Sequence, residues 1–181
     1  MLRAAGRSLL ICLALALVSG CADDTKYQFG LRGKWKLEQR VLPDGAVLTP
    51  PAISGLYEWY PMTKTRAHVT ASVSLGQDQI LVSTYTYDLN ESGLTRNEMV
   101  RISGGYGTTP DQTYQTPGES TDGTVSGSGN QRVLTHANGM VQTYPDVTNA
   151  GVEDATFTVK FADGTVDTWR RIVDQLGALP K

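Results

Sequence analysis

Apolar and polar residues alternate with a period of two over much of this chain, and stretches with helical periodicity are scarce. The clearest alternation puts Ala67, Val69, Ala71, Val73 and Leu75 on one face and Arg66, His68, Thr70, Ser72 and Ser74 on the other, which predicts a half-buried β-strand. Trp35 to Val41 alternates too, with Trp35, Leu37, Gln39 and Val41 on one side and Lys36, Glu38 and Arg40 on the other. Pro43, Asp44 and Gly45 then predict a turn. Pro50 and Pro51 keep the chain irregular until a short strand at Leu56 to Tyr60. Ile80 to Asp88 is rich in β-branched residues and tyrosine, Gly76 to Gln79 reads as a hairpin loop, and Glu98 to Ile102 as a further short strand.

The second half carries two hairpins. Arg132 to Thr135 and Met140 to Tyr144 flank Asn138-Gly139, and Phe157, Val159 and Phe161 lead through Ala162-Asp163-Gly164 into Val166 to Ile172. Such turns between β-patterned runs are strong hairpin signals. Between the halves, the only large apolar or aromatic side chains of residues 103–130 are Tyr106, Tyr114 and Val125, so the stretch is expected as a long flexible loop, at the surface or as a lid over a barrel mouth. The prediction is an all-β domain at 31–176: a single antiparallel up-and-down barrel of about eight strands, with a two-sheet sandwich as the alternative.

The first twenty residues follow a different rule. Arg3 and Arg7 precede an apolar run from Leu9 to Val18 that ends in Ser19 and Gly20, the layout of a secretory signal. The run is short for a bilayer span of about 20 residues. Leu17, Val18, Ser19, Gly20 and Cys21 resemble the bacterial lipoprotein lipobox. That resemblance implies cleavage of 1–20 between Gly20 and Cys21, lipidation (palmitate among the acyl chains) at Cys21, and a tether at 21–30. Several acyl chains hold a protein to a bilayer where one does so only marginally. Cys12 falls in the signal, so Cys21 has no second cysteine in the mature chain, and lipidation accounts for it. Ala22 after the cysteine implies, by the same resemblance, the outer membrane facing the periplasm.

Without the signal the chain keeps 161 of its 181 residues, enough for one domain with a core. Losing Arg3 and Arg7 leaves 14 of the 16 basic residues against 18 acidic ones, a formal charge of −4. That balance, with no basic run, argues against nucleic acid.

Gly33, Lys34 and Trp35 open the first strand as G-x-W, and the last strand carries Trp169, Arg170 and Arg171. The pattern resembles lipocalins and the bacterial lipocalin-like families within the calycins. The resemblance implies a barrel closed by Gly33, Trp35 and a late arginine, here Arg171, which shares a strand face with Trp169. A guanidinium over an indole contributes roughly 0.5–2 kcal/mol.

Chemistry beyond that is sparse. There is no G-x-S-x-G, no catalytic residue is assigned, and neither cofactor nor metal is expected from two separated histidines. His136, beside a turn, is expected to be exposed, and Glu153-Asp154 to be solvated. Gly104-Gly105-Tyr106-Gly107 lacks the lysine of a phosphate loop. Candidate ligand contacts are His68, on the polar face of its strand, and the aromatic set Tyr57, Trp59, Tyr85 and Tyr87, whose rings offer apolar area with polar tips. The expectation is a membrane-anchored binding module for a small apolar or amphipathic molecule. Two readings stay open beside it: an envelope interaction protein with a filled barrel, and a lipocalin-like enzyme using His68 or a buried carboxylate.

Overall fold

A computed structural model describes residues 30–76, 79–90, 93–105, 112–115, 118–128, 131–145 and 155–172. The expected signal, Cys21, most of the tether, Glu153-Asp154 and the segment after Ile172 lie outside the described residues.

Twelve strands are described: β1 Gly33–Val41, β2 Val47–Leu48, β3 Ile53–Pro61, β4 Arg66–Leu75, β5 Gln79–Leu89, β6 Leu94–Gly104, β7 Gln112–Gln115, β8 Ser120–Ser128, β9 Gln131–His136, β10 Val141–Pro145, β11 Thr156–Lys160 and β12 Val166–Ile172. Every pairing is antiparallel, and no helix occurs among the described residues. Ten strands close a ring in the order β1-β3-β4-β5-β6-β8-β9-β10-β11-β12, with β12 returning to β1. The short β2 adds to one end of β1, and β7 to the far half of β6. The closed barrel replaces the sandwich alternative, and its ring holds ten strands rather than about eight.

The main correction lies in 103–130. This segment was expected as one long loop, yet Ser120–Ser128 joins the ring, pairing through Ser120–Gly123 with Leu94–Asn97 of β6 and through Gly123–Ser128 with β9. Its serines, threonines and glycines bring little apolar area, but a strand tied by backbone pairing to one neighbour through its first part and to the other through its second does not depend on large side chains. Gly123 is required there: a Cβ would collide with the Thr135 carbonyl oxygen across the β8–β9 pair.

Two bulges decide which side chains face inward, and each inserts one unpaired residue that reverses strand parity. In β1 the register passes from Leu37↔Trp169 to Gln39↔Thr168, so Glu38 is extra. Arg40, on the outer face by simple alternation, is thereby turned inward, where its guanidinium meets Asp167 through two hydrogen bonds of 2.6 and 2.7 Å. In β6 the register passes from Tyr85↔Glu98 to Thr84↔Val100, so Met99 is extra. Arg101 then falls on the side of Glu98 and pairs with it at 2.8 Å.

Aromatic rings fill the end of the barrel where β1 begins. Phe157 meets Trp35 edge-on at 4.9 Å, touches Tyr57 at 5.0 Å and stacks on Trp169 at 6.0 Å. Trp59 and Tyr87 lie 4.9 Å apart beside them. The same end is capped by the stretch before β1: Trp35 donates its indole N–H to the Leu31 carbonyl at 2.8 Å. Arg171 lies 4.7 Å over the Trp35 ring and donates to the carbonyls of Gly30 and Arg32. Gly33 enters β1 at a φ of 112°, which a side chain would rarely adopt.

Candidate functional site

The strands that begin or end at the opposite end leave space. A cavity of about 80 Å³ lies inside the ring, with Val73, Leu81, Met140 and Val159 on its apolar side. Its polar lining is Tyr57, Ser83, Tyr85, Tyr87, Arg96 and Gln142 together with the Arg40–Asp167 pair. It shares Arg40, Val73 and Leu81 with an outer vestibule of about 340 Å³ that reaches Leu75, Gln79 and Gly104. The inner space alone holds a few waters or a small polar head. The vestibule by itself lies at the lower end of small-molecule pockets, about 300–1,000 Å³.

The strand pleat explains which expected residues arrive here. Leu81, Ser83, Tyr85 and Tyr87 alternate along β5 and point inward, as do Tyr57 from β3 and Ala71 and Val73 from β4. Three of the aromatic candidates, Tyr57, Tyr85 and Tyr87, therefore line the cavity. Trp59 is fully buried behind Tyr87 and does not reach it. His68 corrects the expectation: it lies on the outer face of β4, between the register positions of Tyr60 and Thr86, because the inner parity of that strand belongs to Ala67, Val69, Ala71 and Val73.

Sequence reasoning missed the polar floor. Gln142 of β10 bridges two phenols, donating to the Tyr57 hydroxyl at 3.4 Å and accepting from that of Tyr87 at 3.5 Å. Burial pushes the phenols of Tyr57 and Tyr87 well above their ordinary range, so both stay neutral hydrogen-bonding groups. Arg96 of β6 is only 8 % exposed and lays its guanidinium 3.7 Å over the Tyr85 ring. The signal that could have found it is parity: Leu94, Arg96 and Glu98 share one face, but the strand was expected to start only at Glu98.

His136 is the second miss. Expected as an exposed turn residue, it ends β9 on the inner side and is 2 % exposed, with its ring edge-on to Tyr87 at 5.8 Å. Neither ring nitrogen finds a hydrogen-bond partner among the described residues. Burial first, and the Arg96 charge second, lower its pKa from 6.5 to about 4, with the Gln142 amide acting weakly the other way. Between those values the unfolded chain takes up a proton that the folded barrel does not, so stability falls as the pH drops from 6.5 toward 4 and is level above that window. The expected loss is roughly 3 kcal/mol across the window. Urea unfolding at neutral and acid pH checks it, and His136→Leu should flatten the profile by that amount. An unchanged profile in the variant would show that His136 protonates as readily in the folded chain as in the unfolded one.

Among the described residues no group of three or more His, Cys, Asp or Glu is placed to hold a metal, and no helix is long and apolar enough to cross a membrane. No protein-family model, curated protein or solved structure matches the chain.

Proposed function

We propose that this chain is a lipocalin-like envelope lipoprotein, held by acyl chains on Cys21 at the periplasmic face of the outer membrane, whose barrel takes up a small apolar or amphipathic molecule. The observation that carries the ligand reading is the cavity inside the ring: apolar walls with a few convergent polar groups, next to a vestibule with which it shares Arg40, Val73 and Leu81 as lining. The anchor rests on Leu17 to Cys21 and on the acidic mature domain, which offers no basic patch of its own for a membrane surface.

One experiment addresses both parts. A chain with Cys21→Ser, exported by an ordinary cleavable signal in place of residues 1–20, is expected in the soluble fraction. Its native mass spectrum after gentle purification is expected to carry a small-molecule adduct. A variant that stays on the membrane would move the anchor to the folded domain. A bare mass, together with no uptake of any added amphiphile, would favour the second reading, an interaction protein with a filled barrel. The observation on that side is the inner volume of about 80 Å³, well below that of a roomy ligand pocket.

A further inference from the structure

Inside the barrel most charges have counterparts. Arg40 is held by Asp167, and Glu98 by Arg101. Arg96 has no carboxylate within ion-pair distance among the described residues: the Glu98 charge, already held by Arg101, and the Tyr85 hydroxyl act on it, yet its Nε is buried without an acceptor and the guanidinium lines the cavity. Tyr85 covers one face of the guanidinium and also acts on it through its hydroxyl, which leaves the Nε–H for another group. Burial works against the charged form, while Tyr87, Tyr85 and Glu98 around it act the other way and keep the guanidinium charged at the cavity wall. Two further donors face the same space. The Ser83 hydroxyl is buried without a partner among the described residues, and Tyr57 receives its hydrogen bond from Gln142, so that its own O–H remains to donate.

We propose that Arg96 is the head-group site for a carboxylate-bearing amphiphile, with Tyr57 and Ser83 as its neutral donors and the tail running past Val73 and Leu81 into the vestibule. This deepens the ligand-binding reading and rests on it. A carboxylate fits because its two oxygens match the edge of one guanidinium and its single charge suits one cation that holds no carboxylate within ion-pair distance among the described residues. A phosphate would bring a second charge that nothing here offsets.

Calorimetric titration of the mature chain carrying Cys21→Ser with decanoate, 1-decanol and decyl phosphate at neutral pH tests it. Decanoate is expected to bind roughly tenfold to a hundredfold tighter than decanol, and tighter than decyl phosphate. Arg96→Gln should erase the preference for decanoate while decanol still binds. Equal binding of decanoate and decanol would overturn the head-group site and leave the barrel as a binder of neutral apolar molecules. Tighter binding of decyl phosphate would replace the carboxylate by a phosphate. Failure of all three to bind would overturn the ligand reading as a whole. Should Arg96→Gln not fold, the unsubstituted domain still decides the matter: decanoate, but not decanol, should shift a buried arginine Nε–H resonance in NMR spectra. No shifted arginine signal at saturation would place the carboxylate elsewhere.

Discussion

Trp35→Ala is expected to lower the unfolding free energy by about 3–5 kcal/mol, the range for emptying a large buried aromatic site. Trp35 is fully buried, and three things depend on it at once. Phe157 loses its edge-on neighbour at 4.9 Å, the Leu31 carbonyl loses its donor at 2.8 Å, and the Arg171 guanidinium loses the ring 4.7 Å below it. Since a domain of this size is stable by only about 5–15 kcal/mol, the change is a large share of the total. Trp35→Phe separates the contributions: it keeps much of the ring area but not the indole N–H, and should cost about 1–3 kcal/mol. Urea midpoints with unchanged slopes would measure both. If Trp35→Ala costs under 1 kcal/mol, the capped end is not where the barrel is held together.

Asp167→Ala should cost a comparable amount, about 3–5 kcal/mol, for an electrostatic reason. Asp167 is wholly buried and receives both hydrogen bonds from Arg40, whose side chain is itself 13 % exposed. Removing the carboxylate leaves a guanidinium in a nearly dry site, and that stranded charge, more than the lost attraction, sets the size of the effect. Removing both charges should therefore be milder than removing one. Arg40→Met with Asp167→Leu is expected to recover most of the loss, since well-packed apolar replacements of buried pairs are often neutral. A double variant as unstable as Asp167→Ala would mean that the pair acts through strand register at the β1 bulge rather than through charge.

What alternation can reveal, it revealed. β4 turns the face of Ala67, Val69, Ala71 and Val73 inward as its alternation predicts, and the Asn138-Gly139 and Asp163-Gly164 turns join the strands they were expected to join. Parity failed wherever a bulge reset it. Glu38 and Met99 carry no mark that distinguishes an extra residue from a paired one, so the inward turn of Arg40 and the meeting of Glu98 with Arg101 were not legible. β8 was hidden because its place in the ring depends on backbone hydrogen bonds and on room for Gly123, neither of which shows in hydrophobicity. The candidate site divided on the same principle. Tyr57, Tyr85 and Tyr87 were visible as amphipathic rings on strands. Arg96, Gln142 and His136 are polar residues at inner positions, and composition alone sends such residues to the surface.

The pairing of β12 with β1 also governs when the barrel can finish folding. Arg40 and Asp167 are 127 residues apart in the chain, and β1 keeps one edge open until β12 arrives. Every other strand can find a neighbour earlier, mostly through a nearby hairpin, so closure is a late, long-range step with a large entropic cost. Until then both edges offer unpaired backbone groups to other chains. The hazard for this protein is thus concentrated in time rather than in place: its aggregation-prone species is the nearly complete but unclosed sheet, and anything that speeds the docking of β12 shortens its lifetime.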